Sequence, residues 1–475
     1  LVFDWTADIS GCTSGFSAGE AGERLQAAVE CARGAHVVLD AMTGIGVAGA
    51  LRGVAGTLAS SLGMDGVLPD KPALPNNDPS ADLPLVVAVD APSGVGVDDG
   101  SLPGPYIPAD VTVTFGAMKP CAMVPPASYA WGRTTLVDFG FDVDDAVPFA
   151  EMTDGDFVAD SVRLPSLADG KYSRGVVGLV TGSARYPGAA VLSARAAACA
   201  NVGMVRYLGP QRAQDMILAV LPEAVLGKGR VQSWVVGSGV PAEGDVASGD
   251  DMQRATIAAL LDHYALEDGD GSRNERAEGM PPIVVDAGAL DLLPCHVVPQ
   301  VVITPHAGEL AALLNRLDAD MADVVSRQWV EARPLRAALR AHELTGATVL
   351  LKGAVTIVVG ADGDGNTRII LSGRAPAWMA TAGSGDVLAG VLGALLAQQD
   401  DMLSDDPALV PEVAAAAAYM HGLAGAMASG SEQRGWHRPH LYGHAGKTPA
   451  SAIGHPIVAG DVVAAVPRAF GELLR

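Results

Sequence analysis

The sequence predicts a two-domain α/β protein with mostly parallel sheets. Three observations carry that reading: short apolar runs that close on a carboxylate, helix-patterned segments between them, and a composition able to bury a large core. Hydrophobic residues make up 49% of the 475 and charged residues 18%, which excludes disorder as the overall state. At about 100–200 residues per domain, the length calls for two or three domains.

In the first region, residues 35–40, 85–90 and 110–115 read as strands, and the first two end in Asp40 and Asp90. An apolar run that closes on a carboxylate and passes into a Gly or Pro turn is typical of a parallel strand whose C-terminal end faces a ligand. Gly63 to Pro84 is polar and Pro-rich, as a surface insertion would be. The apolar rhythm fades from Val147 to Lys171 and sets the boundary there, giving one domain over 1–150 and a second over 155–475.

The second region offers strands at 176–181, 233–237, 283–286, 300–304, 348–352 and 355–359, with helices at 189–201, 308–315 and 385–397. The last helix carries apolar side chains at 387, 388, 391, 392, 395 and 396, which is helical spacing. Residues 242–251, 267–280 and 430–452 read as solvated loops. His437, His440, His444 and His455 cluster in or beside the last of these, without a Cys or carboxylate at ligand spacing, so a solvated insertion is expected rather than a metal centre.

With 31 Lys and Arg against 54 Asp and Glu, the net charge is −23, which disfavours nucleic acid and anionic membrane surfaces as partners. The five cysteines contain no CxxC pair, so a disulfide framework or structural zinc is not expected, and a reducing, cytoplasmic setting is. The longest apolar run, Val387 to Ala397, is shorter than the roughly 18 residues a membrane span needs, and no signal peptide is expected.

The strongest local signal is Ala380-Thr381-Ala382-Gly383-Ser384-Gly385-Asp386, directly before a helix. Small residues let the backbone approach a ligand, and unpaired N–H groups with the helix dipole favour an anion. A carboxylate beside such a hole suits a reaction in which a hydroxyl loses its proton while attacking phosphate. The dipole is expected to keep Asp386 ionised, hence a weak base. An ordinary Gly-rich turn with a capping Asp explains the motif equally well. Three further segments lie at strand ends or helix starts: Lys352 to Thr356, Thr304 to Glu309, and Gly182 to Ala189.

Together these segments resemble the ADP-dependent NAD(P)H-hydrate dehydratase domain of the ribokinase-like superfamily, over about 155–475. Tyr419 to Gly425 and Ala459 to Val462 extend the match. The resemblance implies that Asp386 orients or deprotonates the hydroxyl of a hydrated nicotinamide ring. It implies that Gly383, Ser384 and Gly385 hold the transferred phosphate, and that Lys352, Gly353, Ala354, Val355 and Thr356 contact ADP or ATP. Ala189, Gly239 and His306 would line the hydrate pocket, and Mg²⁺ is implied with the nucleotide. Four positions depart from the family pattern: Ala382 for a Gly, Gly288 for an Asp, Trp378 for a small residue, and Gly237-Ser238-Gly239-Val240 for a Gly-Pro-Gly-Leu-Gly turn.

In the first region, Asp40-Ala41-Met42-Thr43-Gly44, Asp90-Ala91-Pro92-Ser93-Gly94 and Thr112 to Pro120 are read from chemistry alone as either turn residues or a pair of carboxylates for a cation or a sugar hydroxyl. In order and spacing they resemble the NAD(P)H-hydrate epimerase domain, which gives the region a Rossmann-like fold. That resemblance implies K⁺ at Asp40 and Ser93. It implies substrate binding by Gly44, Ile45, Gly46, Val47, Ala48, Gly49, Ala50 and Asp90, with Asp90 a proton-transfer group. Nothing before Asp40 contains the Gly-Asn-Asn-Gly-Gly-Asp phosphate loop of that family. The domain is therefore expected to be incomplete, with weak or no epimerase activity, through N-terminal truncation or loss of the loop. The fused order, epimerase then dehydratase, is that of bifunctional NAD(P)H-hydrate repair enzymes, and implies a homo-oligomer acting on hydrated NADH or NADPH. A hydroxyl kinase of the same fold and a non-catalytic nucleotide-binding protein are the alternatives.

Overall fold

The computed structural model describes residues 20–46, 48–65, 84–142, 146–242, 252–267, 274–318, 323–373, 375–431, 440–441 and 454–474. The chain divides into two compact units: residues 1–149 with two short segments from later in the chain, and the remainder from Ala150 onward.

In the first unit, β1 (Val37–Asp40), β2 (Leu85–Val89), β3 (Val111–Phe115) and β4 (Arg133–Val137) form a parallel sheet in sequence order. A two-residue strand, His440–Leu441, adds to β4. Helices α1 (Glu20–Arg33) and α2 (Gly53–Leu62) belong to the same unit. The β1–β2 register pairs Asp40 with Ala88, so Asp40 and Asp90 stand at neighbouring strand ends. Trp131, Tyr106 and Cys121 are in a modest core, whereas Val37, Leu39 and Leu85 of β1 and β2 are exposed.

The second unit has one large sheet. From one side it runs Val225–Leu226, β6 (Met204–Tyr207), β5 (Val176–Val180), β7 (Ser233–Val236), β8 (Ile283–Val285), β9 (Val301–Ile303), β10 (Thr348–Leu351), β11 (Thr356–Ala361), β12 (Thr367–Ser372) and Glu151–Met152. Every pairing is parallel except β10–β11 and β11–β12. Strands β5, β8, β9 and β10 are buried along their whole length, which is why they read as continuous apolar runs.

The helix predicted over 385–397 is α5 (Ser384–Gln398), and it is buried from Val387 to Gln398. Its apolar residues cover every side because it lies between other elements. Gly390 meets Ser193 of α3 (Pro187–Cys199), and Gly393 meets Val235 of β7, so closely that neither could carry a side chain unless its neighbours shifted. The expected helix at 308–315 is α4 (Ala307–Leu317). Two long helices complete the layer, α6 (Val410–Ser429) and α7 (Ala459–Leu473). Among the described residues no helix is long and apolar enough to cross a membrane. His437 and His444 of the His cluster lie outside the described residues.

Candidate active site

Four adjacent parallel strands of the second unit deliver polar residues to one place. Just past β7 is Ser238, past β8 Asp286, past β9 Thr304 and past β10 Lys352. Asp286 is 2% exposed and collects all the others. Its Oδ2 accepts from the Ser238 hydroxyl at 2.7 Å, and its Oδ1 accepts from Thr304 at 2.9 Å and the Lys352 ammonium at 2.8 Å. Glu309 stands 3.6 Å from the same ammonium. Burial disfavours the charge on Lys352, but Asp286, Glu309 and Asp386 outweigh it and hold its pKa above the usual lysine value. Sequence reasoning did not select Asp286. The signal was present, because Ile283 to Asp286 is one more apolar run that ends in a carboxylate.

Asp386 lies in the first turn of α5. Gly383 is the N-cap residue at φ +90°, where a Cβ would be strained and would press on Leu192 and Ala459. Gly385 packs beside Lys352: a Cβ there would stand 3.5 Å from Nζ. The expectation that the helix dipole keeps Asp386 ionised is overturned. Burial, and then the negative charge of Asp286, push its pKa up to about 7, with Lys352 opposing only in part. Desolvation penalises a carboxylate more than the helix terminus and one shared cation relieve it. Asp386 is thus poised as a base near neutral pH.

Ser384 lies 3.3 Å from Nε2 of buried His421, whose pKa burial pushes down to about 4, so the ring is neutral. His306 is the N-cap of α4. Its Nδ1 accepts from the N–H groups of Gly308 and Glu309, while Glu309 accepts from the His306 N–H at 2.8 Å. With Nδ1 accepting, Nε2 is the ring nitrogen left to face Glu309 Oε1, at 3.6 Å. Glu309 thereby joins His306 to Lys352.

Gly239 (φ +68°) has no room for a Cβ beside Ala189 and the Tyr186 carbonyl, so two of the predicted pocket residues, Gly239 and Ala189, meet. The predicted nucleotide hairpin places Gly353 and Ala354 in solvent, Val355 in the core, and Thr356 at the start of β11. Val355 therefore has only its backbone to offer a ligand.

In the first unit, Asp40 accepts from Ser93 twice, from N–H at 2.7 Å and from the hydroxyl at 2.5 Å. Burial pushes its pKa up, against these hydrogen bonds. Asp90, at φ +70°, pairs with Lys119 at 2.6 Å. Gly44 lies against Asp90, with Ile45, Gly46, Ala48, Gly49 and Ala50 exposed beyond it, and Val47 falls outside the described residues. A buried carboxylate beside a hydroxyl is a hard-oxygen donor set that fits a cation such as K⁺.

Residues 177–444 match the family described as NAD(P)H-hydrate dehydratase, and residues 12–121 match the YjeF-related protein N-terminus. The chain belongs to the NAD(P)H-hydrate dehydratase family. A relative named bifunctional NAD(P)H-hydrate repair enzyme Nnr, from Mycobacterium tuberculosis, is 37% identical over 393 residues, covering 80% of this chain and 68% of its own. The protein of that name from Corynebacterium glutamicum is 30% identical over 454 residues, covering 78% and 73%. The solved ADP/ATP-dependent NAD(P)H-hydrate dehydratase of Bacillus subtilis superposes with a TM-score of 0.47 at 19% identity, over 69% of this chain and 100% of that one.

The structure shows what Gly288 and the 237–240 turn require. A Cβ at Gly288 would overlap the Val240 carbonyl, and one at Gly237 (φ +100°) would overlap the Asp286 carbonyl. The turn keeps the two glycines its backbone requires, Gly237 and Gly239, and Asp286 is the carboxylate at the neighbouring strand end.

Proposed function

We propose that the second unit dehydrates (6S)-NAD(P)H hydrate to NAD(P)H, using ADP or ATP as phosphoryl donor and releasing phosphate, with AMP as the second product when ADP is used. One observation carries this reading: a carboxylate near neutral pKa, Asp386, shares the N-terminal turn of α5 with Gly383, Ser384 and Gly385, and an ammonium lies against that turn. Hydroxide is a poor leaving group, and a phosphoryl group makes it a good one. Asp386 orients the ring hydroxyl and takes its proton as the oxygen attacks phosphorus. Backbone N–H groups at 383–385 and the Lys352 ammonium gather the negative charge of the moving group. The ring nitrogen lone pair then expels phosphate. His306, Ala189 and Gly239 would line the hydrate pocket, and Gly353, Ala354, Val355 and Thr356 the nucleotide side.

Mg²⁺ would neutralise the donor phosphates. Among the described residues no group of three or more His, Cys, Asp or Glu could hold a metal. The test is to mix the chain with (6S)-NADH hydrate, Mg²⁺ and ADP. Dihydronicotinamide absorbance should return with equimolar AMP, and a stable phosphorylated product would mean a hydroxyl kinase instead.

For the first unit we infer a hydrate-binding domain with slow R/S interconversion. Asp40 and Ser93 would hold K⁺, and Asp90 with the Gly44 to Ala50 loop would hold the hydrate. Its test is R-hydrate consumption by the chain, which Asp90→Asn should abolish. The homo-oligomer and the cytoplasmic setting rest on the family resemblance and on cysteine usage, and sedimentation tests the first.

A further inference from the structure

Asp286 makes none of the substrate or nucleotide contacts assigned above, and its two oxygens are taken by Ser238, Thr304 and Lys352. At 2% exposure it acts only through those partners. Lys352 has the opposite character. An ammonium carries three donors. Asp286 takes one at 2.8 Å, and Glu309 at 3.6 Å lies beyond good hydrogen-bond length, so the cation keeps capacity for an arriving anion. It sits against Gly385, in the helix turn where backbone N–H groups also lack intrahelical partners.

We propose that Asp286 is a positioning residue for the dehydration: gripped by Ser238 and Thr304, it fixes the Lys352 ammonium against the first turn of α5, beside Asp386. This rests on reading Asp386 as the catalytic carboxylate. The design follows from the sheet. Adjacent parallel strands end level with one another, so four residues from distant parts of the sequence converge at one height, and a carboxylate in their middle locks a flexible lysine into a single position. The pair then acts on Asp386 with opposite signs. Asp286 favours its protonated form and Lys352 its ionised form. Glu309 of α4 faces the Lys352 ammonium, and His421 of α6, which stays neutral, faces Ser384 in this turn.

The test uses the full chain with Asp286→Asn and Lys352→Met. Two readouts are taken from about pH 5 to 9: the rate of NADH formation from (6S)-NADH hydrate, and the carboxyl ¹³C titration of Asp386, located by its loss in Asp386→Asn. In Asp286→Asn, both the acid limb and the carboxyl titration should move down by about one unit, and in Lys352→Met both should move up by about one unit. Turnover in Asp286→Asn should fall by about tenfold or more while KM for the hydrate stays within about twofold. Shifts in the same direction, or none in folded variants, overturn the proposal. Lys352 is partly exposed, so Lys352→Met keeps the test alive if Asp286→Asn does not fold: an unmoved carboxyl titration then overturns it. A parent chain without dehydratase activity sinks the functional reading alone, and the carboxyl titration still decides the role of Asp286.

Discussion

In the first unit, Asp40 and Asp90 end neighbouring parallel strands, and each has its own partner, Ser93 for one and Lys119 for the other. In the second unit, Asp286 and Asp386 depend on a single lysine, and Asp286 holds it. Both pairs stand where open α/β sheets bind ligands. A carboxylate at a strand end is therefore common to the two sites, while the partners of each charge separate them. Asp90, with a lysine of its own, is anchored; Asp40, with only Ser93, and Asp386, with a shared lysine, are both pushed by burial toward the protonated form.

The largest expected effect is on turnover. Asp386→Ala should slow dehydration by roughly 10²–10⁴-fold, while Asp90→Ala leaves it within about twofold, both measured by dihydronicotinamide absorbance. Equal losses would erase the distinction between the units. Next comes Gly383→Ala, which forces a side chain onto a residue at φ +90° and against Leu192. It should lower turnover by about tenfold or more through displacement of the anion-binding turn. Third, kcat should rise with pH through a limb near 7, since only ionised Asp386 accepts the proton and burial and Asp286 hold its pKa at about 7. A limb near the ordinary value of 3.8 would mean a relaxed carboxylate.

The remaining effect is on stability, and it has opposite signs in the two units. The folded pKa of Asp386 is raised from 3.8 to about 7, so its contribution favours the native state below the unfolded value and is lost as pH rises through 7. Asp386→Asn should therefore raise the Tm at pH 8, by up to about 4 kcal/mol of stability, with the gain vanishing toward pH 4. Asp90→Asn breaks its pair with Lys119 and should lower stability by about 1–3 kcal/mol. Thermal melts of the two variants at pH 8 decide it.

The strands β5 and β7 to β10 and the helix after Asp386 were legible because burial imprints itself on pattern, while β1 and β2, partly exposed, were legible as apolar runs that close on Asp40 and Asp90. Strands covered on both faces are apolar throughout, and a helix needs only its spacing. Strands β4, β6 and β12 were less visible: each has a charged residue within it, Arg133, Arg206 and Arg368, which breaks the run. The carboxylate at 386 could be found because its small neighbours and its helix are adjacent in sequence.

By itself, the sequence determined which residue types stand at strand exits and helix starts, since those are set by local backbone demands: glycines at positive φ, carboxylates at turns, small residues before α5. Only the tertiary structure decided which of them share charge. Ser238, Asp286, Thr304, Lys352 and Asp386 are separated by long stretches of chain, and strand order together with the placement of α5 brings them within hydrogen-bonding or Coulomb range. The pKa of Asp386 depends on that range and on burial, because a helix N-terminus favours the carboxylate only where neighbours leave it solvated or paired. Neither quantity is written in the residues beside it.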